Sequence, residues 1–171
     1  SNTNLPIKKN TKKQVCLVVP EGHKAEIDLL FDFSLKCAKA MPDCIFIWRL
    51  HPLFAFNKLK YSNLPSNIIL SDRTLESDLV ESQWLLYKTS SIVIQAVVAG
   101  LKPIYLYQDN KINIDPIFEI NGWKSKVISI YDFESTIKQK KGSYSDYQYA
   151  LNYCLNLYSP LNEEILIKAI R

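Results

Sequence analysis

Residues 83–107 read QWLLYKTSSIVIQAVVAGLKPIYLY, and this stretch decides the fold. Gln83–Lys88 is a short, mostly apolar run with the length and composition of a buried strand. Thr89, Ser90 and Ser91 follow at once, and residues of these types open helices. Ser91–Ala99 is almost wholly apolar and predicts a helix covered on most sides, with Gly100 as its stop. Lys102-Pro103 is expected to turn the chain into a second apolar run, Ile104–Tyr107. Strand, capped helix, glycine and strand make one βαβ unit. A polar helix start at the carboxyl end of a parallel strand is where α/β proteins hold phosphate. Taken alone, the three hydroxyl residues also fit a helix cap with no ligand.

The same alternation extends in both directions. Upstream, Gln14–Pro20 (QVCLVVP) is a continuous apolar run of the central parallel type. After Glu21-Gly22-His23, Lys24–Ala40 carries Ile27, Leu30, Phe31, Leu35 and Ala38 at helical spacing. Pro42 ends it, Cys44–Leu50 is a second strand, and His51-Pro52 stops that strand. Leu53–Pro65 is mixed loop, Asn67–Leu70 a short third strand, and Leu75–Ser82 a short helix opened by Thr74 or Ser77. Downstream, Gln108–Gly122 is irregular with a turn at Asp115-Pro116. Lys126–Tyr131 predicts a last strand, and Asp132–Lys140 a helix capped by Asp132. Tyr144–Tyr158 has a one-faced helical pattern, and Asn162–Ile170 predicts a final helix. The fold class is therefore α/β, a Rossmann-like α/β/α sandwich with a parallel sheet of five or six strands.

Composition narrows the function. The chain has 171 residues, 47% hydrophobic and 22% charged, which suffices for one domain with a sizeable core. Only four glycines are present, which argues against a glycine-rich nucleotide loop. A net charge of +4 suits an anionic ligand or membrane face as well as it suits nucleic acid, and no nucleic-acid partner is expected. The four cysteines, Cys16, Cys37, Cys44 and Cys154, form no CxxC pair. They read as buried free thiols of a reducing compartment. Ser1-Asn2 looks like a tag-cleavage remnant, and residues 1–13 read as a linker before a single domain over residues 14–171. No run is long and apolar enough for a membrane helix.

Right-handed crossovers place the post-strand loops along one sheet edge. Three of them carry chemistry-capable residues: Glu21-Gly22-His23, His51-Pro52 and Thr89-Ser90-Ser91. His51, fixed by Pro52, can donate a hydrogen bond to phosphate or act as acid or base, or simply end its strand. Gly22 can let backbone approach a ligand, or form an ordinary turn. Arg49 and Lys24 are candidate anion clamps. Gln95, flanked by Ile94 and Ala96, needs a polar partner, either a ligand hydroxyl or backbone. No metal-binding spacing, GxSxG, GxxxxGK[ST] or GxGxxG is present.

In this order, strand-EG-helix, strand-HP, strand, helix, strand-TSS-helix-AxxxG-x-P-strand resembles the C-terminal, donor-binding half of GT-B glycosyltransferases. HP after the second strand with SS at the later helix start is similar to bacterial sialyltransferases and polysialyltransferases. Capsule polysaccharide enzymes and CDP-glycerol glycerophosphotransferases share these features. The resemblance implies a nucleotide-sugar donor, CMP- or CDP-linked, with no metal or other cofactor. Its phosphate would meet His51, Pro52, Thr89, Ser90 and Ser91, with His51 also catalytic, and Gly22, read above from its loop, is expected beside them. Ser71, Asp72, Arg73 and Gln95 would contact base and ribose. Gln95 stands where many GT-B enzymes carry a ribose-binding glutamate. The resemblance also implies an N-terminal acceptor domain outside this chain, so that the isolated domain binds donor weakly and catalyses little. It implies a bacterial cytoplasmic setting, at the inner face of the membrane where capsule-type surface polysaccharide is built, with peripheral membrane association. The competing reading is a non-catalytic α/β interaction module.

Overall fold

The computed structural model describes residues 13–109, 111–139 and 142–157. The expected helix Asn162–Ile170 and nearly all of the linker over residues 1–13 lie outside the described residues. Strand β1 (Gln14–Val18) leads to helix α1 (Lys24–Ala40), β2 (Cys44–Arg49), β3 (Ile68–Ser71) and α2 (Leu75–Glu81). The second half runs β4 (Trp84–Tyr87), α3 (Ile92–Val98), β5 (Lys102–Leu106), β6 (Ser125–Val127), α4 (Ile130–Lys138) and α5 (Tyr144–Leu157). All strands pair in parallel in one six-stranded sheet, ordered β3-β2-β1-β4-β5-β6.

Alternation along the strands builds two cores. Cys16 and Val18 of β1, Phe46 and Trp48 of β2, and Trp84 and Leu86 of β4 point to one face. There they meet Leu30, Phe31 and Cys37 of α1 and Phe133 of α4. Leu17, Ile47, Leu85 and Tyr87 point to the other face, against Leu79 of α2, Val93 and Val97 of α3, and Tyr147 and Cys154 of α5. A parallel sheet covered on both faces needs continuous apolar strands, which is why β1, β2 and β4 carry almost no polar residue. The indole of Trp48 stacks on Phe31 with ring centroids 4.2 Å apart and interplanar angle 3°.

Three local expectations are corrected. Lys102-Pro103 is not a turn; both residues belong to β5. Lys102 N–H donates to the Gln83 carbonyl at 3.0 Å, on the β4 side. Residue 103 therefore faces the β6 side, where pairing starts only at Ile104 with Ser125, so proline costs no ladder bond there. The last strand is shorter than Lys126–Tyr131 and ends at Val127. Asp132 is not the cap of α4: Ser129 is, in a reciprocal capping box with Asp132 three residues on. Gly100, at φ 81°, closes α3 as expected.

All four cysteines are buried and free. Burial pushes the Cys37 and Cys44 thiols up to about 12 and Cys154 up to about 11, and lifts Cys16 well above the ordinary range. An aromatic disulfide reagent at mildly alkaline pH should therefore find no fast-reacting thiol in the folded chain, and all four after unfolding; one fast thiol in the native protein would contradict this packing. Asn67 is a second checkable point. Its buried amide nitrogen donates to the carbonyls of Ala38, Met41 and Cys44 at 3.0, 3.1 and 2.8 Å, tying the end of α1 to β2. Asn67→Ala leaves those carbonyls without their donor and should cost roughly 2–4 kcal/mol in a urea titration.

Candidate functional site

The strand order reverses direction between β1 and β4. The chain leaves β1 for α1 on one face and β4 for α3 on the other, so their connections diverge above the carboxyl edge. That divergence opens the crevice in which doubly wound sheets bind ligands. The loops of β1, β2 and β4 meet there through named contacts.

The first contact joins Gly22 to His51. A Cβ built on Gly22 would lie 3.0 Å from Cε1 and 3.1 Å from Nε2 of the His51 imidazole. The ring therefore lies against backbone that only glycine leaves bare. His51 Nδ1 accepts from Leu53 N–H at 3.3 Å. That bond makes Nδ1 the acceptor and leaves Nε2 as the N–H donor. Pro52, exposed, carries the chain on beyond His51.

The second contact joins the β1 loop to the β4 loop through Glu26, in the first turn of α1. Its carboxylate is buried, at 8% exposure. Oε1 accepts from Glu21 N–H at 3.1 Å and Thr89 N–H at 3.3 Å, and Oε2 accepts from the Thr89 hydroxyl at 2.6 Å. Thr89 is thus engaged inside the protein. Ser90 is 2% exposed, and its hydroxyl and N–H have no hydrogen-bond partner among the described residues. Ser91 sits at the N-cap position but makes no side-chain cap bond, so the expected serine cap is not formed. Its backbone is already in the helical region, at φ −66° and ψ −13°, whereas a side-chain cap normally starts from extended backbone.

The residues assigned to base and ribose do not join this cluster. Ser71 ends β3, three strands from β4, or about 14 Å by strand spacing. Its hydroxyl donates to Asp78 Oδ2 at 2.6 Å. Arg73 pairs with Asp78 at 3.3 Å and with Glu81. The candidate clamp Arg49 pairs with the fully buried Asp78 at 2.9 Å and donates to the Arg73 carbonyl. Asp72 is exposed beside them. Gln95 is exposed on α3, so water satisfies its amide and no buried partner is required. Lys24 is exposed and lines, with His51, Phe31, Phe54 and Tyr61, a cavity of about 330 Å³ between α1 and the β2–β3 loop.

Sequence reasoning missed Glu26, Lys88, Asn113 and Asp115. Lys88, directly after β4, is 7% exposed and donates to Asn113 Oδ1 at 3.0 Å. Burial lowers its pKa, opposed by the charge of Glu26. Asp115 accepts from the Tyr87 hydroxyl at 2.8 Å and pairs with Lys124. These contacts hold the 107–124 loop against β4 and β5. Among the described residues no group of three His, Cys, Asp or Glu side chains could hold a metal. No described helix is long and apolar enough to cross a membrane.

No protein-family model matches the chain, and no curated protein does. Solved structures do. The kitacinnamycin glycosyltransferase superposes with TM-score 0.63 at 12% identity, over 92% of this chain and 43% of its own. TarM gives 0.62 at 17% identity, over 92% and 34%. The wall teichoic acid polymerase TagF, in a structure soaked with CDPG, gives 0.55 at 18% identity, over 90% and 37%. The chain has the fold of one half of a GT-B glycosyltransferase. It spans less than half the length of each of these proteins. The chain also superposes on a Listeria monocytogenes protein assigned as a UDP-N-acetylglucosamine 2-epimerase, with TM-score 0.55 at 12% identity over 84% of this chain and 43% of its own. The fold alone therefore does not specify transfer.

The His51–Gly22 contact yields a direct test. Gly22→Ala should push the imidazole aside, visible as a shift of the His51 ring-proton resonances, while costing under about 1 kcal/mol because the loop is half-exposed. Unmoved ring resonances would mean that the imidazole does not rest on Gly22.

Proposed function

We propose that this chain is the donor-binding half of a glycosyltransferase, and that the crevice between the β1, β2 and β4 loops holds the phosphate of a nucleotide-linked sugar. One observation carries the reading. Three neighbouring sets of donors or hydroxyls at the crevice have no partner among the described residues: His51 Nε2–H, the Ser90 hydroxyl and N–H, and the Ser91 hydroxyl. A set of open donors on adjacent loops suits an oxyanion. Thr89 serves Glu26 in place of the ligand, and α3 has only seven residues, so side chains and single amides do more here than a helix dipole.

In this reading the bond from the sugar's anomeric carbon to the phosphate oxygen breaks with its electron pair on the nucleotide. His51 Nε2–H and the Ser90–Ser91 donors stabilise the charge that develops there. The acceptor hydroxyl supplies the new bond, and its proton leaves to a base on a second domain outside this stretch. A cytidine-linked donor and a surface-polysaccharide acceptor are the finer parts of the proposal. They rest on the HP and SS motifs and on the likeness to TagF, a wall teichoic acid polymerase.

Titrating the chain with CMP, CDP, UDP and GDP, followed by thermal shift or NMR, tests this. Saturable binding of a cytidine nucleotide is expected, weakened at least about 10-fold by His51→Ala or Ser90→Ala, the effect of losing one hydrogen bond to a charged group. Preference for UDP or GDP would keep the donor site and remove the cytidine assignment. Binding unaffected by either substitution would place the ligand elsewhere.

A further inference from the structure

Glu26 is the one buried carboxylate at the crevice, and its surroundings are unusual. No cation lies within ion-pair distance of it among the described residues. A buried carboxylate without a counter-ion is costly unless hydrogen bonds and local dipoles replace water. Here three donors and the amino end of the 17-residue α1 do so. Two of the donors, Thr89 N–H and Oγ1–H, belong to the β4 loop, and the third, Glu21 N–H, belongs to the β1 loop. The partners are 5 and 63 residues away in sequence. Residue 26 lies where a helix-opening glutamate commonly bonds back to its own cap. This one reaches instead across to a second loop.

From this we infer that Glu26 is a positioning residue, joining the two ligand-facing loops into one rigid unit before any ligand arrives. Oε1 fixes Glu21, hence Gly22 and the imidazole that rests on it. Oε2 fixes Thr89, hence Ser90 next in the chain. Both sets of proposed phosphate donors are thus placed by one side chain that does not itself face the ligand. Preorganised donors bind an anion without the cost of ordering the loops at that moment. The inference rests on the donor-site reading for its functional consequence, but the clamp itself is a property of the free protein.

Two measurements on the whole chain test it separately. Amide hydrogen exchange is followed at Glu21 and Thr89, and CDP is titrated, in the wild type and in Glu26→Ala, Glu26→Gln and Thr89→Val. Glu26→Ala should speed exchange at both amides and weaken CDP by about 10-fold or more, a change of about 1.4 kcal/mol. Glutamine can keep all three contacts, its Oε1 accepting from both amides and its NH2 donating to Thr89 Oγ1. Glu26→Gln should therefore stay within about threefold of wild type in both measurements. Thr89→Val should fall between, and adding it to Glu26→Ala should do little more, since the two act through one contact. Unchanged exchange in Glu26→Ala overturns the clamp. Faster exchange with unchanged CDP affinity overturns its role in positioning. Glu26→Gln behaving like Glu26→Ala shows that charge, not geometry, is what matters, and also overturns it. Tighter CDP binding in Glu26→Gln would make Glu26 a competitor of the phosphate instead. A wild-type chain that binds no CDP overturns the cytidine donor reading, while exchange alone still decides whether the clamp exists.

Discussion

The carboxyl edge of the sheet depends on one pairing, that of β1 with β4. Cys16, Leu17 and Val18 pair with Trp84, Leu85 and Leu86, and Val19 N–H extends the ladder to the Leu86 carbonyl. Every other strand is added outward from this pair, β2 and β3 on one side and β5 and β6 on the other. Right-handed crossovers then send α1 and α3 to opposite faces. Sheet pairing holds the two strands about 5 Å apart while their exits part company, so a crevice forms there without any side chain having to carve it. The remaining task for the sequence is to line that crevice and to keep its two banks in register.

Two buried carboxylates do this in different ways. Asp78 is fully buried and draws Arg49, Ser71 and Arg73 around itself, knitting the ends of β2 and β3 to α2. Its charge is met by two guanidinium groups, which are then no longer free to meet a ligand. Glu26 is met by two amides, a hydroxyl and a helix end, all of which are fixed dipoles. A dipole-satisfied carboxylate brings no cation into the crevice, so attraction for an anion must come from other donors. The β3 end is therefore a structural knot, and the β1–β4 crevice is where open donors remain.

The fold was legible because its signals are redundant. The strands that decide it are continuous apolar runs, and α1 repeats its pattern across 17 residues. Errors fell where a residue's local meaning depends on pairing that lies far away in sequence. Pro103 reads as a turn until the short β6 leaves its side of β5 open. Asp132 reads as a cap because Ser129 stands at the end of an apolar run that looks like strand. Gln95 reads as buried because Ile94 and Ala96 flank it, yet α3 turns it outward. Which loops neighbour β4 is likewise a matter of strand order, which no local pattern contains. A signal for Glu26 was present. It sits with Leu30, Ser34, Cys37 and Ala38 on the inward face of α1, and a charged residue at a core position demands a partner. Its partner, Thr89, is 63 residues on, and only the β1–β4 pairing brings the two together.

A fold shared by the kitacinnamycin glycosyltransferase, a wall teichoic acid polymerase and a protein assigned as a UDP-N-acetylglucosamine 2-epimerase leaves chemistry to the groups on the loops. A ligand can be held only by groups the protein does not already use. Thr89, Arg49, Arg73 and Ser71 look equally suited to phosphate as residue types, and each is taken by an internal carboxylate. Not taken in this way are the imidazole N–H at Nε2, opposite the Nδ1 that accepts from Leu53, and the donors of Ser90 and Ser91. None of these three is an obligate acceptor. A neutral sugar needs acceptors as well as donors, whereas an oxyanion needs donors alone. By that asymmetry, the open donors of His51, Ser90 and Ser91 suit the phosphate of the donor proposed above better than they suit its sugar.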